Sequence, residues 1–221
     1  MLLNVITALI RSKNLKKILE SLIVSRGDTS IDIHWMLVVD QRSLMSSIDV
    51  ANTHIQEILA EVAQKTWLTC EAFYLKSHKS PANIGFENAK DGMICLVDDD
   101  NIMHPDYISA IHKEAEAMTI EDFGFLYNQI LGKPPSSCNQ RVRKVVPYRI
   151  GPGRVDTAQV TITKKLLKNR RWPNRELDMS VTCPDGVFIG GVYSNAPNKF
   201  KIINRSLCYY NYLSGPGLDF S

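Results

Sequence analysis

Through its N-terminal half the chain alternates short apolar, β-branched runs with segments of helical periodicity. Leu2 to Ile10 is the first run. After Arg11-Ser12-Lys13-Asn14, the residues Leu15, Ile18, Leu19 and Leu22 recur at helical spacing. Ile33 to Val39 is a second run ending at Asp40, and Ile55, Ile58, Leu59 and Val62 then share one helical side. Phe73-Tyr74-Leu75 reads as a short third strand, and Gly85 to Gly92 as a loop and short helix before the apolar run Ile94 to Val97. Parallel strands need long, usually helical, right-handed crossovers. The alternation therefore implies an α/β architecture: a mostly parallel, Rossmann-like sheet flanked by helices, in a single domain.

Such sheets bind ligands beyond the carboxyl ends of their strands, where this chain places Thr7, Asp40 and the run Asp98-Asp99-Asp100. Side chains alternate along a strand, so a strand continuing through the acids puts Asp98 and Asp100 on one face and Asp99 on the other. Carboxylates that close raise each other's pKa unless a cation compensates, and hard oxygen ligands suit Mg²⁺ or Mn²⁺ rather than zinc. A plain turn is the competing reading, because His104-Pro105-Asp106 opens a helix directly afterwards. An EF-hand loop fits poorly, since Ile102 and Met103 stand where a ligand and a glycine are needed. Neither G-x-G-x-x-G after the first strand nor a Walker loop is present, which disfavours dinucleotide and ATP folds.

A net charge of +3 is too small to imply nucleic acid. The basic residues are uneven: Arg141, Arg143 and Lys144 form one cluster, and Lys164, Lys165, Lys168, Arg170 and Arg171 another. Solvated faces and an anionic-ligand role both fit such runs. Five scattered cysteines without CxxC spacing argue against a disulfide framework and a zinc site, so a reducing cytoplasm is the expected setting. Met1 to Ile10 is too short for a signal peptide, and no segment reaches the roughly 18 apolar residues of a membrane span. Pro105 begins a helix striped by Ile108, Ile111, Ala115 and Met118, and Gly124 to Tyr127 reads as a strand. Gly132 to Arg154, rich in Pro, Gly and basic residues, reads as a binding loop or lid.

Several short motifs then fall in a recognisable order: Val5-Ile6-Thr7-Ala8-Leu9-Ile10-Arg11, Val38-Val39-Asp40, Asn83-Ile84-Gly85, Leu96 to Asp100, Gly153 to Val160, Trp172, Pro184-Asp185-Gly186-Val187-Phe188 and Cys208 to Tyr212. Over nearly the whole chain this order resembles the nucleotide-sugar glycosyltransferases of the GT-A fold, family 2 type. The Pro-x-Tyr-Asn common in that family's first loop is absent, as is its Glu-Asp pair near Asp185.

The resemblance implies one glycosyltransferase domain over 1–221, with a nucleotide-binding half over about 1–103 and a donor-sugar and acceptor half over about 104–221. By the same resemblance, Thr7, Ala8, Arg11 and Asn83 line the nucleotide site and Asp40 meets the base edge. Asp98 meets the ribose or the metal, and Asp100 ligates Mn²⁺ or Mg²⁺ on the diphosphate, with Asp99 sharing one of those jobs. Asp185 is the implied catalytic base, with Glu176 and Asp178 as runners-up. The implied reaction is inverting transfer from a nucleoside-diphosphate sugar, a UDP-sugar by expectation, to a glycan or other hydroxyl acceptor. A pyrophosphorylase-like enzyme lacks support in a first loop without glycine, and a haloacid-type phosphatase in Ile102, which stands where that class wants Thr or Val. A nucleotide-sugar-binding module without turnover remains an open alternative.

Overall fold

In the computed structural model, residues 1–44, 47–76, 79–131, 144–151, 155–168, 170–173, 183–210 and 213 are described, apart from the side chains of 131 and 144–146. The first half follows the alternation in the sequence. It runs β1 (Leu2–Leu9), α1 (Leu15–Arg26), β2 (Asp32–Asp40), α2 (Ile48–Val62), β3 (Leu68–Leu75), α3 (Pro81–Asn88) and β4 (Met93–Leu96). The second half comprises β5 (Ile102–Met103), α4 (Tyr107–Glu116), β6 (Gly124–Leu131), β7 (Lys144–Val146), β8 (Val160–Thr163), α5 (Lys164–Leu167), α6 (Pro184–Asn195) and β9 (Phe200–Tyr210).

Among the described residues the strands form one sheet in the order β3-β2-β1-β4-β8-β6-β9-β5, with β7 added to β6. The β3-β2-β1-β4 block is parallel, as is the β6-β9 pair. Antiparallel pairing joins β4 to β8, β8 to β6, β7 to β6 and β9 to β5. The half read from periodicity is thus wholly parallel, and the sheet as a whole is mixed. Registers Leu9↔Val39, Asp40↔Leu75 and Ile6↔Leu96 bring the carboxyl ends of the four parallel strands to one edge.

Both faces of that block are covered, which is why its strands read as nearly continuous apolar runs. Leu3, Val5, Leu9 and Leu37 pack against Leu15, Ile18 and Leu22 of α1, Ile55 of α2 and Ile108 of α4. Their alternates Ile6, Met36 and Val38 pack against Phe86 of α3 and Phe188 and Ile189 of α6. β3 is longer than Phe73-Tyr74-Leu75 because it is an edge strand whose Thr69, Glu71 and Tyr74 are exposed, so no apolar run marks its start. β4 is shorter than the acidic run: it ends at Leu96, and Asn101 N–H donates to Asp98 O across a turn. Part of the expected irregular stretch Gly132 to Arg154 is the strand β7; 132–143 and 152–154 lie outside the described residues.

The entry into β4 depends on one glycine. Gly92 has φ +147°, and a Cβ there would lie 2.4 Å from the backbone oxygen of Leu2. Asn4, fully buried, ties the same crossover down by donating from Nδ2 to the carbonyls of Lys90 and Met93 and accepting from Lys90 N–H. Gly92→Ala combines a strained backbone with a backbone clash, so it should destabilise the fold by about 1–3 kcal/mol. Urea denaturation measures this, and an unchanged midpoint would contradict the account.

Candidate active site

The acidic turn is fastened to the loop after β1. Asp99 is buried, and its Oδ2 accepts the backbone N–H groups of Ile10 and Arg11 at 2.6 and 2.5 Å. Asn14 Nδ2 donates to the carbonyl of Asp99 at 2.7 Å. The Arg11 guanidinium lies over the turn, with Nη1 3.2 Å from Asp99 Oδ1 and 2.6 Å from Asp100 Oδ2. This contact is one of charge, because Nη1 makes no aligned hydrogen bond. Burial works against the Arg11 charge, but Asp100, Asp99 and Asp98 outweigh it and raise its pKa above the ordinary value. Since the strand stops before the acids, strict alternation does not reach Asp99 and Asp100, and Arg11 bridges these two.

Asp98, half-buried, has a different partner. Thr157 Oγ1 donates to its Oδ2 at 3.4 Å. Burial first, and then the charges of Asp156, Asp185, Asp100 and Asp99, push the Asp98 carboxyl up to about 8. Asp156 is the N-cap of the short 3-10 turn Thr157–Gln159, and its Oδ1 accepts from Ala158 N–H at 2.9 Å. Burial raises Asp156 to about 6 against that hydrogen bond, with Asp185 adding repulsion. Asp185 sits in the first turn of α6, behind Pro184, and burial raises its pKa as well. Asp98, Asp156 and Asp185, from three separate elements, therefore share one electrostatic environment.

The other expected residues have specific places. Ala8 is half-buried on the strand face opposite to Thr7. Thr7 is fully buried and its hydroxyl accepts from Trp35 Nε1 at 3.0 Å, so it belongs to the core and not to the pocket surface. Both Asp40 oxygens are engaged by its own turn: Oδ1 accepts from Arg42 N–H and Nε, and Oδ2 from Arg42 Nη2 and Ser43 Oγ. Burial opposes that charge, and these donors outweigh it and lower the Asp40 pKa. Asn83 clamps a backbone segment, donating to Trp172 O at 3.0 Å and accepting from Trp172 N–H at 2.6 Å.

Trp172 is buried against Phe188, ring centroids 4.7 Å apart, with Phe86 beneath, so it packs α6 on α3. His104 accepts from Asp106 N–H and stacks on Tyr209, as a helix-entry residue does. The second basic cluster disperses into pairs, Lys165 with Glu121 and Arg171 with Glu87. His78, Arg141, Arg143, Glu176, Asp178 and the Asn211-Tyr212 end of the closing motif lie outside the described residues. Asp156 was not among the residues singled out from the sequence. Its signal there, an acid three residues before Gln159, marks a capping box and says nothing about the acids it will face.

Among the described residues no three His, Cys, Asp or Glu side chains are grouped to hold an ion unaided. Mg²⁺-type sites on nucleotides commonly take only one or two carboxylates and complete their shell with phosphates and water. Asp98 and Asp100 fit that pattern in ligand type, and burial and the neighbouring carboxylates hold Asp98 in a setting that a cation would relieve. No helix among the described residues is long and apolar enough to cross a membrane.

No protein-family model matches the sequence, and no curated protein sequence does. Solved structures do match. S. aureus TarS superposes with a TM-score of 0.64 at 15% identity, over 95% of this chain and 36% of that one. The chain has a GT-A-like fold. TarS 1-349 in complex with UDP-GlcNAc gives 0.63 at 14% identity, over 94% of this chain and 57% of the other. The mannosyltransferase PcManGT from Pyrobaculum calidifontis, in complex with GDP-Man and Mn²⁺, gives 0.61 at 11% identity, over 99% and 58%. The chain thus spans well under two thirds of the length of each of these, and at such identities the likeness is one of fold.

The hydrogen bonds of Asp99 generate a stability prediction. Asp99→Ala leaves the N–H groups of Ile10 and Arg11 without their acceptor, at a cost of about 1–3 kcal/mol for groups that stay buried. Chemical denaturation should register that loss, together with faster amide hydrogen exchange at residues 10–14. Unchanged exchange there would mean that the loop holds its shape without Asp99.

Proposed function

We propose that this chain is a glycosyltransferase that moves a sugar from a nucleoside-diphosphate sugar to a hydroxyl acceptor with inversion, using Mn²⁺ or Mg²⁺. The observation that carries this reading is the placing of Asp98, in the turn after β4, beside Asp156, both within reach of Thr157 Oγ1, in a GT-A-like fold. That solved structures of this fold hold UDP-GlcNAc, or GDP-Man with Mn²⁺, supports it.

In this reading Asp98 and Asp100 hold the ion. Such an ion would supply positive charge to offset the negative charge that develops on the diphosphate as the sugar departs. Arg11 adds a cation on the same side. Asp185 takes the proton of the attacking hydroxyl; its burial raises its basicity towards the range in which a carboxylate works as a general base. A base acting on the acceptor requires no protein nucleophile, so one displacement inverts the anomeric centre. Ala8 and the backbone of the loop after β1 border the nucleotide, and Asp40 acts through Arg42, whose guanidinium it fixes. Asn83 contributes by clamping the Trp172 segment, which packs against α6.

The direct experiment is a panel of UDP- and GDP-sugars with Mn²⁺, read as slow release of nucleoside diphosphate to water, followed by product stereochemistry once an acceptor is found. A protein that binds a donor and never releases the diphosphate would be a binding module instead. The metal assignment predicts that UDP or GDP binds at least tenfold more weakly in chelator than in Mn²⁺, a difference of ~1.4 kcal/mol or more. In Asp100→Asn most of that difference should vanish. Equal affinities in calorimetry of the unmodified protein would remove the ion from the scheme. For the base, Asp185→Asn should keep nucleotide affinity and lower transfer by roughly 10² to 10⁴-fold, the usual contribution of general base catalysis. If Asp156→Asn abolishes transfer while Asp185→Asn leaves it intact, Asp185 is not the base.

A further inference from the structure

Arg11 occupies a position that the proposed reaction needs to change. Its Nη1 lies 2.6 Å from Asp100 Oδ2, on the carboxylate assigned to the ion. A guanidinium and a divalent cation cannot both sit on that oxygen, since like charges at contact repel. Two observations indicate that the arginine can leave. Its side chain is 40% exposed, and its Nη1, although buried, has charge contacts but no aligned hydrogen bond. The turn does not depend on the guanidinium, because the backbone N–H groups of Ile10 and Arg11 and the amide of Asn14 hold Asp99 by themselves.

Resting on the function proposed above, we infer that Arg11 is a counter-ion gate: it holds Asp100 until a diphosphate draws its guanidinium away, and only then does Asp100 accept the metal. Phosphate oxygens give an arginine two parallel hydrogen bonds in place of a misaligned contact. The exchange makes metal and nucleotide binding cooperative, since each removes the obstacle to the other. It also keeps a divalent cation from lodging on the acids before the donor arrives.

The test uses Mn²⁺ alone, followed by electron paramagnetic resonance of the free ion, and UDP or GDP in chelator, followed by calorimetry. Arg11→Gln should bind Mn²⁺ alone about tenfold more tightly than the unmodified protein and bind the nucleotide in chelator about tenfold more weakly, each a change of ~1.4 kcal/mol. Arg11→Lys, which keeps the charge, should retain the weak Mn²⁺ binding of the parent. Opposite movements of the two affinities separate the gate from a structural role, because a damaged loop weakens both. Arg11→Met, of similar length and uncharged, serves the same purpose if the Gln variant melts early. An Mn²⁺ affinity in Arg11→Gln that equals or falls below that of the parent overturns the gate. If the nucleotide still binds with Mn²⁺ in that case, the proposed function stands without it. Failure of the unmodified protein to bind Mn²⁺ even with UDP or GDP overturns the metal assignment and the gate together.

Discussion

The carboxylate of Asp99, held by the N–H groups of Ile10 and Arg11, is the contact on which the site depends. It joins the loop after β1 to the turn after β4, and those segments are adjacent because β1 and β4 pair in parallel with Ile6 opposite Leu96. A buried carboxylate without donors is costly, so this one fixes both loops at once. Among the three acids the middle one is structural, and the outer two are the ones assigned to the ion in the proposed reaction.

Around that staple, charge is deliberately unbalanced. Arg11 is set against Asp99 and Asp100, whereas Asp98 faces Asp156 and Asp185 and its carboxyl is pushed up to about 8. Repulsion of this kind destabilises an empty site and becomes useful only when positive charge is supplied. The surrounding packing holds the acids in place against it. Asn83 clamps the Trp172 segment, and Trp172, Phe188 and Phe86 fasten the N-terminal turn of α6, which carries Asp185, to α3.

Thr7 and Asp40 illustrate how position along a strand underdetermines role. Both stand at the end of an apolar strand where a ligand is expected. Yet Thr7 faces the α1 and α2 side and bonds Trp35, while Asp40 is taken up by Arg42 and Ser43. Register puts a residue at the functional edge. Which neighbour takes its polar atoms is decided by side chains from other segments, and local sequence carries no record of them.

The sequence by itself determined four strands joined by helices, hence a parallel block, and the appearance of acids at its carboxyl edge, because burial on both faces forces apolar runs and helical stripes that are visible locally. It also carried the order of motifs from which the GT-A fold follows. Only the tertiary structure decided that the strand ends at Leu96 before the acids, that antiparallel pairing joins the second half to the first, and that Asp156 comes beside Asp98 at Thr157. The edge strand β3 and the polar β9 lack a continuous apolar run, and contacts such as Thr157 to Asp98 span 59 residues of chain. Electrostatic coupling depends on distance in space, whereas periodicity registers only what is near in sequence.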